Sequence, residues 1–148
     1  MKLTTRARYS LRMMMAITKL SFEGKPVGLG DVAKQCGVSR GYLEQLVPAL
    51  KNAKLVRSQS GRSGGYALAR NPDEIKVGSI IEAAIGPVSV TECATEPETC
   101  LHSEFCNCRG LWALINHRIT QVLNEYSLAD ILDKNWPKKV QQELQALG

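Results

Sequence analysis

A mainly α-helical fold with one small β-hairpin is predicted by three observations on this chain of 148 residues. Two short helical stripes meet across Gly37-Val38-Ser39, a glycine- and serine-rich hairpin at 60–65 follows them, and a long helical stripe lies beyond a cysteine-rich loop. The first two together make a winged helix-turn-helix. The third reads as a dimerisation helix, because it is longer than the small head needs for itself. Residues 1–76 are therefore assigned to the winged head, and 77–148 to a sensor and dimerisation region. Within the latter, the cysteine loop takes 87–108 and the long helix about 109–126.

Each element has its own signal. Tyr9, Met13, Ala16, Ile17 and Leu20 recur at helical spacing, with Thr4 or Thr5 placed to cap the start and Glu23-Gly24-Lys25-Pro26 to end it. A second helix fits 31–36, with Val32, Ala33 and Cys36 on one face and Gly37 able to adopt the left-handed closing conformation. Ser39 then caps a third helix that runs through Leu43, Leu46, Val47 and Leu50 to about Lys54. Pro48 inside it removes a backbone hydrogen bond and predicts a kink. Strands are expected at 55–59 and 66–69 on either side of the glycine-rich tip.

After the break at Asn71-Pro72-Asp73, Val77, Ile80, Ile81, Ala84 and Ile85 predict a short helix capped by Ser79 and ended by Gly86-Pro87. From Pro87 to Asn107 no period holds, which predicts a loop of the length that is commonly functional. Leu111, Ile115, Ile119, Val122, Leu123 and Tyr126 mark the long helix. Ser127 and Asp130 form a capping-box-like start to a short helix at 128–132. Beyond Trp136-Pro137, which is expected to separate the pieces, Val140, Leu144 and Leu147 suggest a last turn or two.

Composition narrows the class. A chain of this size supports one core, or two halves sharing one. The opening six residues lack the apolar region of a signal peptide and no window reaches the 18 or so apolar residues of a membrane span, so a soluble cytoplasmic protein is expected. Residues 1–70 hold 13 Lys and Arg against three acids, a net of +10, while the remainder carries six bases and 11 acids, a net of −5. A basic half joined to an acidic half suits a protein that neutralises phosphates at one end. No nucleophile with a base, phosphate loop or paired catalytic carboxylates stands at a recognisable spacing, so an enzyme is not expected.

In a helix-turn-helix the first residues of the second helix meet base edges. Ser39, Arg40, Tyr42 and Gln45 hold those positions, and Arg62 at the wing tip is placed to enter a narrow groove. Lys2, Arg6, Arg8, Arg12 and Arg57 are the candidate phosphate contacts. Tyr42 has a second reading as a core residue.

Four of the five cysteines crowd into the loop as C-x6-C-x5-C-x-C: Cys93, Cys100, Cys106 and Cys108, interleaved with Glu92, Glu96, Glu98, His102 and Glu104. Thiolates suit an iron–sulfur cluster or zinc, and the missing C-x2-C pairs weigh against zinc without removing it. Metal-free redox thiols are the third reading. Cys36 reads as a small core residue, His117 as solvated and Trp112 as core or interface.

The residues that carry a resemblance are Met1-Lys2-Leu3-Thr4 with Arg8-Tyr9, Tyr42-Leu43-Glu44-Gln45-Leu46, Gly64-Gly65-Tyr66-Ala67-Leu68, Val77-Gly78 to Ile81, three cysteines, Leu111-Trp112 and Ser127-Leu128-Ala129-Asp130. In these, over nearly its whole length, the chain resembles the small bacterial winged-helix regulators of the Rrf-two type, which include the iron–sulfur regulator IscR and the nitric oxide sensor NsrR. The resemblance implies a homodimer crossed by the long helix, with Cys93, Cys100 and Cys106 as cluster ligands. The fourth ligand departs from pattern. IscR-like members carry histidine three residues after the third cysteine, where Arg109 stands, and NsrR-like members use an aspartate where Arg8 stands. Cys108 is the substitute at hand, but residues two apart on a helix point to nearly opposite sides, so it joins Cys106 only if the helix begins after it. His102, a loop glutamate, a residue from the other protomer or an exogenous small ligand are the alternatives.

The expectation is a homodimeric transcription factor, a repressor, that binds near-palindromic double-stranded DNA under control of an iron–sulfur cluster. Cluster-assembly genes are candidate targets. The alternatives are a cluster-free regulator sensing thiol oxidation or a protein partner, and a zinc-stabilised protein-interaction module.

Overall fold

The computed structural model describes residues 3–148. Its elements are α1 (Thr5–Leu20), α2 (Leu29–Cys36), α3 (Arg40–Asn52), β1 (Val56–Gln59), β2 (Gly65–Leu68), α4 (Val77–Ile85), α5 (Glu92–Thr95), α6 (Asn107–Glu125), α7 (Leu128–Leu132) and α8 (Trp136–Leu147). The mainly helical fold with one antiparallel hairpin is thus observed, β1 pairing with β2 from Val56 opposite Leu68 to Gln59 opposite Gly65.

Caps decide the helical boundaries. Thr4, not Thr5, caps α1, its Oγ1 accepting the Ala7 N–H at 3.1 Å. Gly37 closes α2 at φ 68 and Ser39 Oγ accepts the Tyr42 N–H at 3.1 Å, which makes the tight turn between α2 and α3. The second helix begins earlier than its polar pattern suggested, because Gly28 takes the cap position and Leu29 is buried in the core. Pro48 lies within α3 without ending it, and the helix stops at Asn52, two residues before Lys54 turns the chain at φ 56.

One core joins the two stretches of sequence. Met13, Met14 and Ile17 of α1, Val32 of α2, and Leu43, Leu46 and Leu50 of α3 pack with Ile80 of α4 and Leu128 of α7, all at most 1% exposed. Each such aliphatic side chain contributes about 1.5–3 kcal/mol by leaving water. Leu20, at the end of the α1 stripe, is instead 40% exposed. The end of α6 is stitched to the start of α4 by Val77 N–H donating to Tyr126 O at 3.0 Å and Leu128 N–H to Ile75 O at 2.8 Å.

Four expectations need correction. Ser79 does not cap α4, which starts two residues earlier behind Lys76, whose side chain makes no cap bond. The cysteine loop is not without secondary structure: it contains α5 and two 3-10 turns, Pro97–Thr99 and Ser103–Phe105. The long helix begins at Asn107, not near 109. Trp136-Pro137 opens α8 instead of dividing two fragments, since proline in the first turn lacks only an N–H that would be unpaired there anyway.

The capping box at α7 is present in full. Ser127 N–H and Oγ–H both donate to Asp130 Oδ2 at 2.8 Å, and Ser127 Oγ accepts the Asp130 N–H at 3.1 Å. Ser127→Ala is expected to lower unfolding stability by about 1 kcal/mol, measured by denaturant titration. The Ser127 backbone donor, then its hydroxyl, hold the Asp130 carboxyl below its ordinary range. A depressed folded-state value contributes stability above the unfolded pKa that is lost as pH falls through the folded value. Asp130→Asn should therefore flatten the acid end of the stability profile, and an unchanged profile would remove the box from the stability of this region.

Candidate functional site

The first two turns of α3 present Ser39, Arg40 and Gln45 to solvent. Arg40 Nε meets Glu44 Oε1 at 3.1 Å with both side chains more than half exposed, a pair worth at most about 1 kcal/mol. That leaves the guanidinium free to exchange Glu44 for a base edge or a phosphate. Tyr42 falls between its two readings: it is half-buried against the core, with its ring edge-on to Tyr9 at 5.7 Å. The Arg12 guanidinium stands 5.0 Å from the centre of the Tyr9 ring, which brings a phosphate-contact candidate to the same face as the recognition helix.

The wing is anchored at its root by a contact that sequence patterning did not reveal. Val27 and Tyr66 exchange backbone hydrogen bonds, both at 2.8 Å, so the segment after α1 pairs with β2. Arg62 is exposed at the tip, and Arg57 on β1 is exposed while donating from Nη2 to Gly24 O at 3.1 Å. Lys51, absent from the sequence-derived set, reaches from the last turn of α3 to Ser58 Oγ of β1 at 2.9 Å. A base in the last turn of the recognition helix next to a basic strand was the signal available for it.

Along α1, Arg8 is exposed beside Thr5. Arg6 is differently engaged: its Nε donates to Ala84 O at 2.8 Å and its Nη2 to Gln45 O at 3.4 Å. Lys2 lies outside the described residues. Arg6 is therefore joined to Gln45, and Arg12 to Tyr42 through the Tyr9 ring, while Arg57 and Arg62 belong to the wing.

The cysteine loop is rooted before its first thiol. Val88, 7% exposed, packs with Ala7, Val77 and Ile81 in a second small core. Val90 N–H donates to Asn116 Oδ1 at 3.1 Å, and Thr91 Oγ1 lies 3.2 Å from Cys93 Sγ. Cys93, Cys100 and Cys106 are half-buried free thiols, whereas Cys108 is exposed. Cys106 is the N-cap of α6, so Cys108 stands inside its first turn. The helix does not begin after Cys108, and the condition for Cys108 to join Cys106 is not met.

Among the described residues no three Cys, His, Asp or Glu side chains are close enough together to hold a metal ion. The donor chemistry of Cys93, Cys100 and Cys106 fits a thiolate-ligated cluster, although the described residues do not bring the three thiols together. His102 and His117 are exposed, and Trp112 is half-buried. Cys36 packs against the core, and burial pushes its thiol up, with Arg12 opposing, as suits an inert filler.

The long helix packs Ile119 and Leu123 against the second small core and leaves the rest of its apolar face open. None of the 19 residues of α6 is buried, and Leu111, Leu114 and Val122 are each more than half exposed. Between α1, α6 and α8 runs a groove of about 950 Å³ lined by Leu11, Met15, Val122, Trp136 and Leu147. At its floor the Tyr126 hydroxyl donates to the Glu143 carboxylate, which, ahead of desolvation, holds the phenol up to about 12. No helix among the described residues is long and apolar enough to cross a membrane.

Comparison with known proteins matches this arrangement. The family model Rrf2, described as an iron-dependent transcriptional regulator, matches residues 3–134. The chain is 39% identical over 140 residues to the HTH-type transcriptional regulator IscR of Aliivibrio salmonicida, across 95% of this chain and 82% of that protein. Among solved structures, CymR (YrzC), the global cysteine regulator of B. subtilis, aligns with a TM-score of 0.76 and 38% identity, covering 89% of this chain and 96% of that one. IscR of T. potens aligns at 0.72 and 34%, covering 89% and 86%. With its helix-turn-helix, its wing and its long helix, the chain belongs to the Rrf2 family, and it is a DNA-binding transcriptional regulator, not an enzyme.

Proposed function

We propose that the chain is a cytoplasmic homodimeric repressor whose binding to a near-palindromic operator is controlled by an iron–sulfur cluster held by Cys93, Cys100 and Cys106, with genes of cluster assembly as candidate targets. The observation that carries this reading is three half-buried thiols on a loop whose root packs against the DNA-reading head. The IscR relatives and the iron-dependent family description support it. When bound, the group would supply a redox- and ligand-sensitive centre. This chain would supply the thiolates, and the fourth ligand would come from Cys108, after unwinding of the first turn of α6, from His102 or a loop glutamate, from the other protomer or from an exogenous small ligand. Zinc in the same thiols is the lesser cofactor reading.

The exposed Leu111, Leu114 and Val122 of α6 support the homodimer, because a helix of this length with no fully buried residue gains further packing from a second copy. A twofold dimer places two α3 helices in successive major grooves about 34–36 Å apart and calls for a near-palindromic site. Ser39, Arg40, Tyr42, Gln45 and Arg62 are the base-edge and minor-groove candidates, and Lys2, Arg6, Arg8, Arg12 and Arg57 the phosphate candidates. Arg40→Ala or Gln45→Ala is expected to weaken specific binding by about 1–3 kcal/mol with scrambled DNA unaffected. Equal losses on both duplexes would assign the residue to the backbone.

The test of cluster control is an absorption spectrum of chain purified without oxygen, with iron, sulfide and zinc measured on the same sample and duplex affinity compared before and after cluster removal. Visible bands with iron and sulfide, and a changed affinity, are expected. A colourless protein that stays colourless after reconstitution would favour the second reading, a thiol-redox regulator, which the accessibility of the four free loop thiols supports.

A further inference from the structure

Arg6 touches three helices at once. It lies on α1, its Nε donates to Ala84 O in the last turn of α4 at 2.8 Å, and its Nη2 makes the longer contact to Gln45 O on the recognition helix at 3.4 Å. Ala84 is among the last four carbonyls of α4, which have no donor within their own helix, and a cation there also favours the negative end of the helix dipole. Ala84 is itself 7% exposed and its bond to Arg6 is part-buried, whereas the Gln45 contact lies at the surface.

What lies beyond Ala84 gives the contact its meaning. Two residues on, Gly86 turns the chain at φ 81, and Val88 then packs on Ala7, the residue next to Arg6. Val90 N–H is held by Asn116 Oδ1 at 3.1 Å, and Thr91 Oγ1 meets Cys93 Sγ. The guanidinium thus spans the recognition helix and the segment from which the first loop thiol departs. Its planar fork can hold two carbonyls at a set angle, which a lysine ammonium cannot.

We propose that Arg6 is the positioning residue that couples the recognition helix to the root of the cysteine loop, so that a change in the loop reaches α3 through the Ala84 and Gln45 carbonyls. As regulation this rests on the reading of the loop as the sensor. The coupling itself is a property of the cluster-free chain. Binding energetics are reciprocal, so DNA on α3 must order the loop root by as much as the loop biases α3.

The test is hydrogen exchange on cluster-free chain, with and without a duplex selected by the wild-type chain from a random-sequence pool. Wild type is expected to slow exchange at the amides of Val88 and Val90 by at least about fivefold on binding, the lower end of ordinary coupling between sites. Arg6→Gln and Arg6→Lys are expected to keep the slowing in α3 and lose it at the loop root. Should Arg6→Gln not fold, Arg6→Lys, which keeps charge and stem, carries the test.

Loop-root slowing that persists in the variants, or is absent in wild type, overturns the proposal. So does failure of both variants to fold, which would make Arg6 a scaffold residue. If Arg6→Gln lowers the salt dependence by about one unit with loop-root slowing intact, Arg6 is a phosphate contact instead. The cluster reading fails separately, when wild-type affinity for the same duplex is equal with and without the cluster.

Discussion

Gly65→Ala is expected to free the wing from the head and to lower stability by more than any exposed substitution in the chain. Gly65 sits at φ +151, and a Cβ built there would stand 2.2 Å from the backbone oxygen of Val27. That oxygen accepts the Tyr66 N–H, so it cannot retreat without losing the bridge that roots β2. The backbone conformation alone costs a residue with a side chain about 1–3 kcal/mol, and the clash adds to it. Denaturant unfolding would measure the loss, and DNA titration would show weaker binding with α3 itself intact. Gly30→Ala in α2, where a Cβ meets nothing within 4 Å, is the control, expected to be neutral or stabilising by up to about 1 kcal/mol. Wild-type stability in Gly65→Ala would mean that the wing root can shift, and would remove the Val27 bridge as its anchor.

Substitution of a single loop thiol carries the second large effect. Cys93→Ser, Cys100→Ser and Cys106→Ser are each expected to abolish visible absorption together with bound iron and sulfide in chain purified without oxygen. The loss should exceed the roughly 10–100-fold that outer-shell changes cost in metal affinity, because a ligand itself is removed. Cys36→Ser, against the core and away from the loop, should leave the spectrum unchanged. Cys108→Ala is expected to leave it unchanged too, since its thiol lies inside the first turn of α6. Loss of absorption in Cys108→Ala would instead establish that the cluster-bound chain unwinds that turn. Retention of iron in all three serine variants would move the site off these thiols.

The helix-turn-helix was legible because its signals are local. Ser39 as cap, Gly37 in the left-handed conformation and the spacing of Leu43, Leu46 and Leu50 each act within a turn or two of chain, and all three stand as expected. The capping box of Ser127 and Asp130 was readable for the same reason. Signals spread along the chain were less complete. Ser79 resembles a cap, but the bridge between Lys76 and Ser127 fixes where α4 begins, and that partner lies some 50 residues away. Polar residues hid the short helix α5, and the start of α6 before Leu111 has no apolar period to announce it.

Sequence by itself determined the order of the elements, the polarity of charge along the chain, the position of the helix-turn-helix and the clustering of four cysteines. Only the tertiary structure decided how these are joined. It put Ile80 and Leu128 into the core of the head, gave Gly64 and Gly65 an internal reason in their approach to the Gln59 and Val27 oxygens, and turned Arg6 toward two carbonyls. The physical reason is one of range. Caps and periodicity are decided by bonds within a few residues, whereas a close backbone approach or a bridging guanidinium depends on which distant segments the core brings together.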